Sequence, residues 1–297
     1  MTASGWRCWQ LTAPIAAFSR PVRTRRAPQG TPPPSGPTAA AGAAGAAGSG
    51  TPQTPGPSAA VGAADRGPAG PTRPQADRAA GLPVMLGGAR ARQTDATTCG
   101  SAVLVMLAAT GDPALAAWLE TGELGAGRRP PEVPPGTVTG GAAERFAAAQ
   151  RHVKEATGRR ALGPLSWPAG LGTPPWTAAR QARFPGVRYR VRAVDDAAEE
   201  AATILGLVEA ANRRGQPVPL YVGGDIRGGL AHAVPRHVVL AVPPPPGAGL
   251  PGVLQVYEPS AGSVYSVPVG ELLDRSTPHP ALGGWTHVTV ALLPVPA

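Results

Sequence analysis

RQTDATTCGSAVLVML, residues 92–107, is the stretch on which the fold turns. A polar loop gives way to an apolar run at Cys99. From Ser101 onward Val103, Leu104, Met106 and Leu107 recur at the spacing of a helix with one buried face. Thr97 or Thr98 can cap that helix, which puts Cys99 in its first turn, where the positive end of the helix dipole favours a thiolate. Gly100 leaves room beside the thiol for an incoming substrate. Gln93, six residues upstream of Cys99, can offer a side-chain amide next to the cysteine's own backbone N–H, two donors for an oxyanion. The plainer reading of a lone cysteine in an apolar helix is a small core residue chosen for packing.

Downstream, Gly111-Asp112-Pro113 is a stop followed by a fresh cap with proline in the first helical position. Residues 113–120 then read as a short helix burying Leu115, Trp118 and Leu119. Residues 128–140 form a Pro/Gly loop, and residues 142–157 a helix with Phe146, Ala149 and Val153 on one face. In LGTPPW, residues 171–176, Thr173 can cap a helix carrying Pro174 and Pro175, and Trp176 is either a core anchor or the wall of a cleft. Residues 187–194 alternate apolar residues with arginine, so Val187, Tyr189, Val191 and Ala193 should share the buried face of a strand. Asp195 caps a further helix that ends at Arg214 and Gly215. Residues 218–222, 237–242, 253–257, 263–267 and 286–293 are β-rich. Helices first and strands last imply an α+β domain, helices packed on an antiparallel sheet, over residues 81–297.

Upstream, the composition changes. Residues 31–75 hold nine Gly, ten Pro and twelve Ala and no aromatic residue. Such a segment has too little apolar surface to offset its ordering entropy, so residues 1–80 are expected to form a disordered tail. That tail contains eight arginines against two aspartates and so accounts for +6 of the net +9. The basic balance therefore says little about the domain, and no nucleic-acid partner is expected. Cys8 and Cys99 are the only cysteines, so no disulfide framework is implied. No apolar run reaches the roughly 18 residues of a membrane span, and the apolar patch LTAPIAAF, residues 11–18, has its charges on the wrong side for a secretory signal. A cytoplasmic protein with no integral membrane segment is the expectation.

A cysteine nucleophile needs a base, and the base an orienting group. His237 opens a strand in PRHVVLAV, and the next strand ends in YEPSAG with Glu258. If the two strands pair, Glu258 can hold the imidazole in the required tautomer. His232 lies in the Gly-rich loop DIRGGLAHAV and is a lesser candidate as substrate contact or base. His152 reads as a surface residue, and His279 and His287 as turn and edge-strand residues. No histidine pair has ligand spacing, so neither a metal nor a cofactor is expected.

The chain order Gln93, Cys99, His237, acid resembles that of papain-like cysteine peptidases. QTDATTCG, PRHVVL and YEPSAG are similar to motifs of the peptidases that process double-glycine leaders of bacteriocins, in particular their stand-alone bacterial relatives, and LGTPPW looks like a further mark of these. The resemblance covers residues 83–294. It implies a papain-like fold and thiol-dependent hydrolysis of a peptide or protein substrate. In that scheme Cys99 is the nucleophile, His237 the base, Gln93 the oxyanion donor and Glu258 the acid, where the family usually has Asp. The transporter segments that accompany many members have no counterpart here. Two alternatives stay open: acyl transfer to an amine, as in transglutaminases, and a non-catalytic peptide-binding domain on the same fold.

Overall fold

The computed structural model describes residues 9–10, 81–195, 199–224, 235–273 and 275–297. All of them belong to one unit of the chain, residues 1–20 with 72–297. The other unit, residues 21–71, and nearly all of the expected tail lie outside the described residues, as does the loop that carries His232. The strands are β1 (Trp9–Gln10), β2 (Leu82–Leu86), β3 (Ala89–Arg90), β4 (Val187–Ala193), β5 (Val218–Gly223), β6 (His237–Val242), β7 (Val253–Glu258), β8 (Ser263–Pro268) and β9 (His287–Pro296). The helices are α1 (Cys99–Gly111), α2 (Pro113–Thr121), α3 (Ala142–Gly158), α4 (Pro175–Gln181) and α5 (Glu199–Arg213).

Helix α1 departs from its expected amphipathic form. Eleven of its thirteen residues are buried, Cys99 to Ala109 without a break, because α2, α3, β5 and β6 all pack against it. A helix apolar all round is one that has neighbours all round. It stops at Asp112, which caps α2 by accepting hydrogen bonds from the N–H groups of Ala114 (3.0 Å) and Leu115 (3.3 Å). Among the described residues no single helix is long and apolar enough to cross a membrane. The pair α1 and α2 has the length but bends by 116° and is mostly core.

The sheet runs β1-β2-β8-β7-β6-β5-β9-β4, with β3 paired to β2. Every pairing is antiparallel except β1 with β2, so the fold is α+β with an antiparallel sheet. Central strands β5 and β6 are buried along their whole length, as VPLYVG and HVVLAV demand. Alternation sends Val238, Leu240 and Val242 to the core shared with α1, and Val239 and Ala241 to the core shared with α5.

Strand β4 was expected to bury four side chains. It buries only Tyr189, because it ends the sheet and has one strand neighbour. His287 opens β9, which lies between β5 and β4 and is therefore an interior strand. Trp176, read as either a core anchor or the wall of a cleft, is 41% exposed and so is no core anchor. It stacks edge-on against Trp167 (centroids 5.3 Å apart) and donates its indole N–H to the Ala161 carbonyl at 2.9 Å.

Candidate active site

Cys99 is the first residue of α1, His237 the first of β6 and Glu258 the last of β7. Three element ends thus deliver a thiol, an imidazole and a carboxylate to one place, with exposures of 4%, 6% and 2%. His237 Nε2 lies 2.7 Å from Glu258 Oε1, which leaves Nδ1 as the ring nitrogen for the thiol. Burial works against charge on His237. Side-chain hydrogen bonds to Cys99 and Glu258, with Coulombic attraction to the same two groups, outweigh it and raise the pKa to about 9. An imidazolium between a sulfur and a carboxylate is the state this arrangement favours.

Glu258 is one methylene longer than the residue usual in the resembling family, and its own turn takes up the extra length. Oε1 accepts from the N–H of Ser260 at 2.7 Å and Oε2 from the N–H of Ala261 at 2.6 Å, so the carboxylate folds back over residues 259–262 while still reaching the ring. Burial alone would lift its pKa. The hydrogen bonds from His237, Ala261 and Ser260 prevail and hold the carboxyl below its ordinary range.

The acid turn is tied to the loop before the cysteine. Gln93 N–H donates to the Pro259 carbonyl at 2.9 Å, Arg92 Nε to the Ser260 carbonyl at 2.8 Å, and Tyr257 Oη to the Ala91 carbonyl at 2.9 Å. The Gln93 side chain accepts from Ser260 Oγ (3.2 Å) and spends one amide hydrogen on the Asp95 carbonyl (2.9 Å). Gln93 therefore sits between the acid turn and the cysteine loop, with its second amide hydrogen as the remaining donor.

Two expectations about this loop need correction. Thr98 occupies the cap position of α1 but does not cap it with its side chain. Its hydroxyl turns back and accepts from the N–H groups of Thr94 (3.1 Å) and Asp95 (3.0 Å), which folds the loop. Nor does Gly100 leave free space: a Cβ there would come within 2.6 Å of Thr173 Cβ. The glycine admits Thr173, whose expected cap of α4 falls instead to Pro174. The Thr173 carbonyl accepts from Tyr221 Oη at 3.0 Å, and the Tyr221 phenol is pushed up by burial, with the neighbouring Cys99 adding to the shift.

Several contributors were not read from the sequence. Gln150 on α3 is fully buried and hydrogen-bonds both peptides that flank Gln93, donating to the Arg92 carbonyl at 3.0 Å and accepting from Thr94 N–H at 3.1 Å. The available signal was a glutamine on the apolar face of a helix beside Phe146, Ala149 and Val153. One turn on, Lys154 donates to Thr97 Oγ1, and Thr97 in turn bonds Asp95. Gly283 follows the 3-10 turn Pro280–Leu282, at φ +64°. A Cβ there would stand 2.6 Å from His237 Cδ2 and 2.7 Å from Nε2, so only a bare backbone fits over the ring. Among the described residues no group of three His, Cys, Asp or Glu is placed to hold a metal ion.

No family model matches this sequence, and no curated protein matches it. Among solved structures, one that is similar is described as a double glycine motif protease from AMS/PCAT transporter in complex with the leader peptide. It is 13% identical, with 69% of this chain and 89% of that chain covered, at a TM-score of 0.33. A likeness at that level carries no argument about the chemistry of this chain.

Proposed function

We propose that the chain is a cysteine peptidase with a papain-like fold. The observation that carries the reading is the meeting of Cys99, His237 and Glu258 at three buried element ends, with Glu258 2.7 Å from the imidazole and both Cys99 and Glu258 raising the pKa of the ring. The Cys99 thiolate attacks a peptide carbonyl. The Cys99 N–H and the Gln93 amide stabilise the oxyanion, and His237 hands its proton to the departing amine. His237 then takes a proton from water, which releases the acyl group. Glu258 keeps the ring oriented and charged. A peptide or protein is the proposed substrate and the cytoplasm the proposed location. Residues 81–297 are proposed as the catalytic domain and residues 1–80, apart from strand β1, as a disordered tail.

The test is the rate of Cys99 alkylation by iodoacetamide against pH, with peptide mapping to separate Cys99 from Cys8. Fast reaction well below neutral pH in the wild type, slowed there in His237→Ala, is the expected result, along with loss of peptide hydrolysis in Cys99→Ala. A thiol that reacts like an ordinary cysteine and ignores His237 would refute the reading and leave a peptide-binding domain in its place.

A further inference from the structure

The α5 side of the sheet ends in a fringe of arginines. Strand β4 is last in the sheet and pairs only with β9, three strands away from the His237 strand. Its register sets Arg190 opposite Leu293 and Arg192 opposite Ala291. Both partners belong to the core shared with α5, so the two arginines lie on that side of the sheet. Together with Arg214, just past the end of α5, they line a cavity of about 250 Å³ whose apolar wall includes Leu293, Val295 and Leu207, the last 50% exposed.

Among the described residues these cations are unmatched. Arg183 is held by Glu132 and Asp112, Arg213 by Glu209, and Arg145 by three backbone carbonyls. Among the described residues Arg190 and Arg192 have no hydrogen-bonding or ionic partner, and Arg214 reaches only Gln216 Oε1 at 3.4 Å. Three guanidinium groups converging on one cavity repel one another unless an anion joins them. The strand that presents them also has, among the described residues, an unpaired backbone edge. Its side chains repeat on one face every second residue, about 7 Å apart, which is the repeat of any strand added beside it.

We propose that β4 is a docking strand for an extended acidic segment of a partner protein. The segment adds to the open edge and sets Asp or Glu at alternate positions beside Arg190 and Arg192, with the intervening apolar residues on the other face of the sheet beside Val191, which is 38% exposed. This goes beyond the hydrolytic reading and does not depend on it. Arginines on an edge strand can equally serve to keep other strands away, and the experiment separates the two roles.

The probe is a fluorescein-labelled peptide of about nine residues in which Glu alternates with Val. It is titrated into full-length Cys99→Ala protein, which leaves the probe intact, and followed by anisotropy. Saturable binding is expected, weakened about tenfold by Arg190→Gln with Arg192→Gln and by N-methylation of alternate peptide nitrogens. Charge reversal at both sites, Arg190→Glu with Arg192→Glu, should transfer binding to a peptide of the same length in which Lys replaces each Glu, with circular dichroism confirming that each variant is folded. Absence of saturable binding to the Glu/Val peptide would overturn the proposal. So would equal binding of the isomer with its glutamates clustered at one end, or of a single-stranded DNA of equal charge.

Discussion

The row of Cys99, His237 and Glu258 and the arginine fringe of β4 are both charged regions of one sheet, and they obey opposite rules. In the first, every charge is almost wholly removed from water and each group is held by another: Glu258 by His237 and two backbone N–H groups, His237 by Glu258 and Cys99. In the second, guanidinium groups stand on an exposed strand with no counter-charge among the described residues. Buried charge survives only where the surroundings over-determine it, whereas exposed charge costs little and constrains little. The buried row should therefore react to any single change, and the fringe only to a ligand.

The sharpest way to test that contrast is Gly283→Val. A β-branched residue at φ +64°, with His237 atoms 2.6 and 2.7 Å from its Cβ, should lower stability by about 3 kcal/mol in urea denaturation and expel the ring from its place. A variant of wild-type stability and thiol reactivity would show that the ring has more freedom than its burial suggests. Next is pH. His237 is raised from 6.5 to about 9 by folding. Its contribution to stability is therefore complete below about pH 6.5 and lost as pH rises through about 9. Glu258 is lowered from 4.5, so its contribution is present above about pH 4.5 and lost as the solution becomes more acid. The stability gap between wild type and His237→Gln should accordingly close on the alkaline side. A gap that persists unchanged to about pH 10 would refute the charged-ring description.

A smaller loss is expected for Gln150→Leu, which leaves the Arg92 carbonyl and the Thr94 N–H without their partner. A cost of about 2 kcal/mol by urea denaturation is expected, together with slower Cys99 alkylation, because the loop leading to the cysteine loses its brace. Smallest of all, Arg190→Gln should change stability by no more than about 0.5 kcal/mol. A large loss there would erase the contrast between the two regions.

The parts of the site that were legible in the sequence are those announced by local pattern. Cys99 stands where polar residues turn apolar, His237 where an apolar run begins and Glu258 where one ends, so the ends of α1, β6 and β7 could be placed from the chain alone. What escaped depends on contacts between distant residues. Gln150 meets residues 92 and 94 from 58 and 56 positions away, and Gly283 lies over a ring 46 positions before it. Strand β2, LPVML, is apolar at every position and so shows no period-two signature in the sequence, although its burial alternates. The exposure of β4 was misjudged for a similar reason. Alternation tells which residues share a face, but only the place of a strand in the sheet tells whether that face is covered.

The hydrogen bonds from Tyr257, Gln93 and Arg92 that join the acid turn to the cysteine loop span some 166 to 168 positions of chain. During synthesis this has a temporal meaning. Helix α1 leaves the ribosome long before its neighbours β6 and β7 exist, and Gly283 comes later still. From the synthesis of residue 99 to that of residue 237 the growing chain carries Cys99 with neither imidazole nor carboxylate beside it. The thiol meets its partners only after residue 258 has been made, and gains its cover only after residue 283. Assembly order alone thus keeps the three side chains apart until the domain is nearly complete.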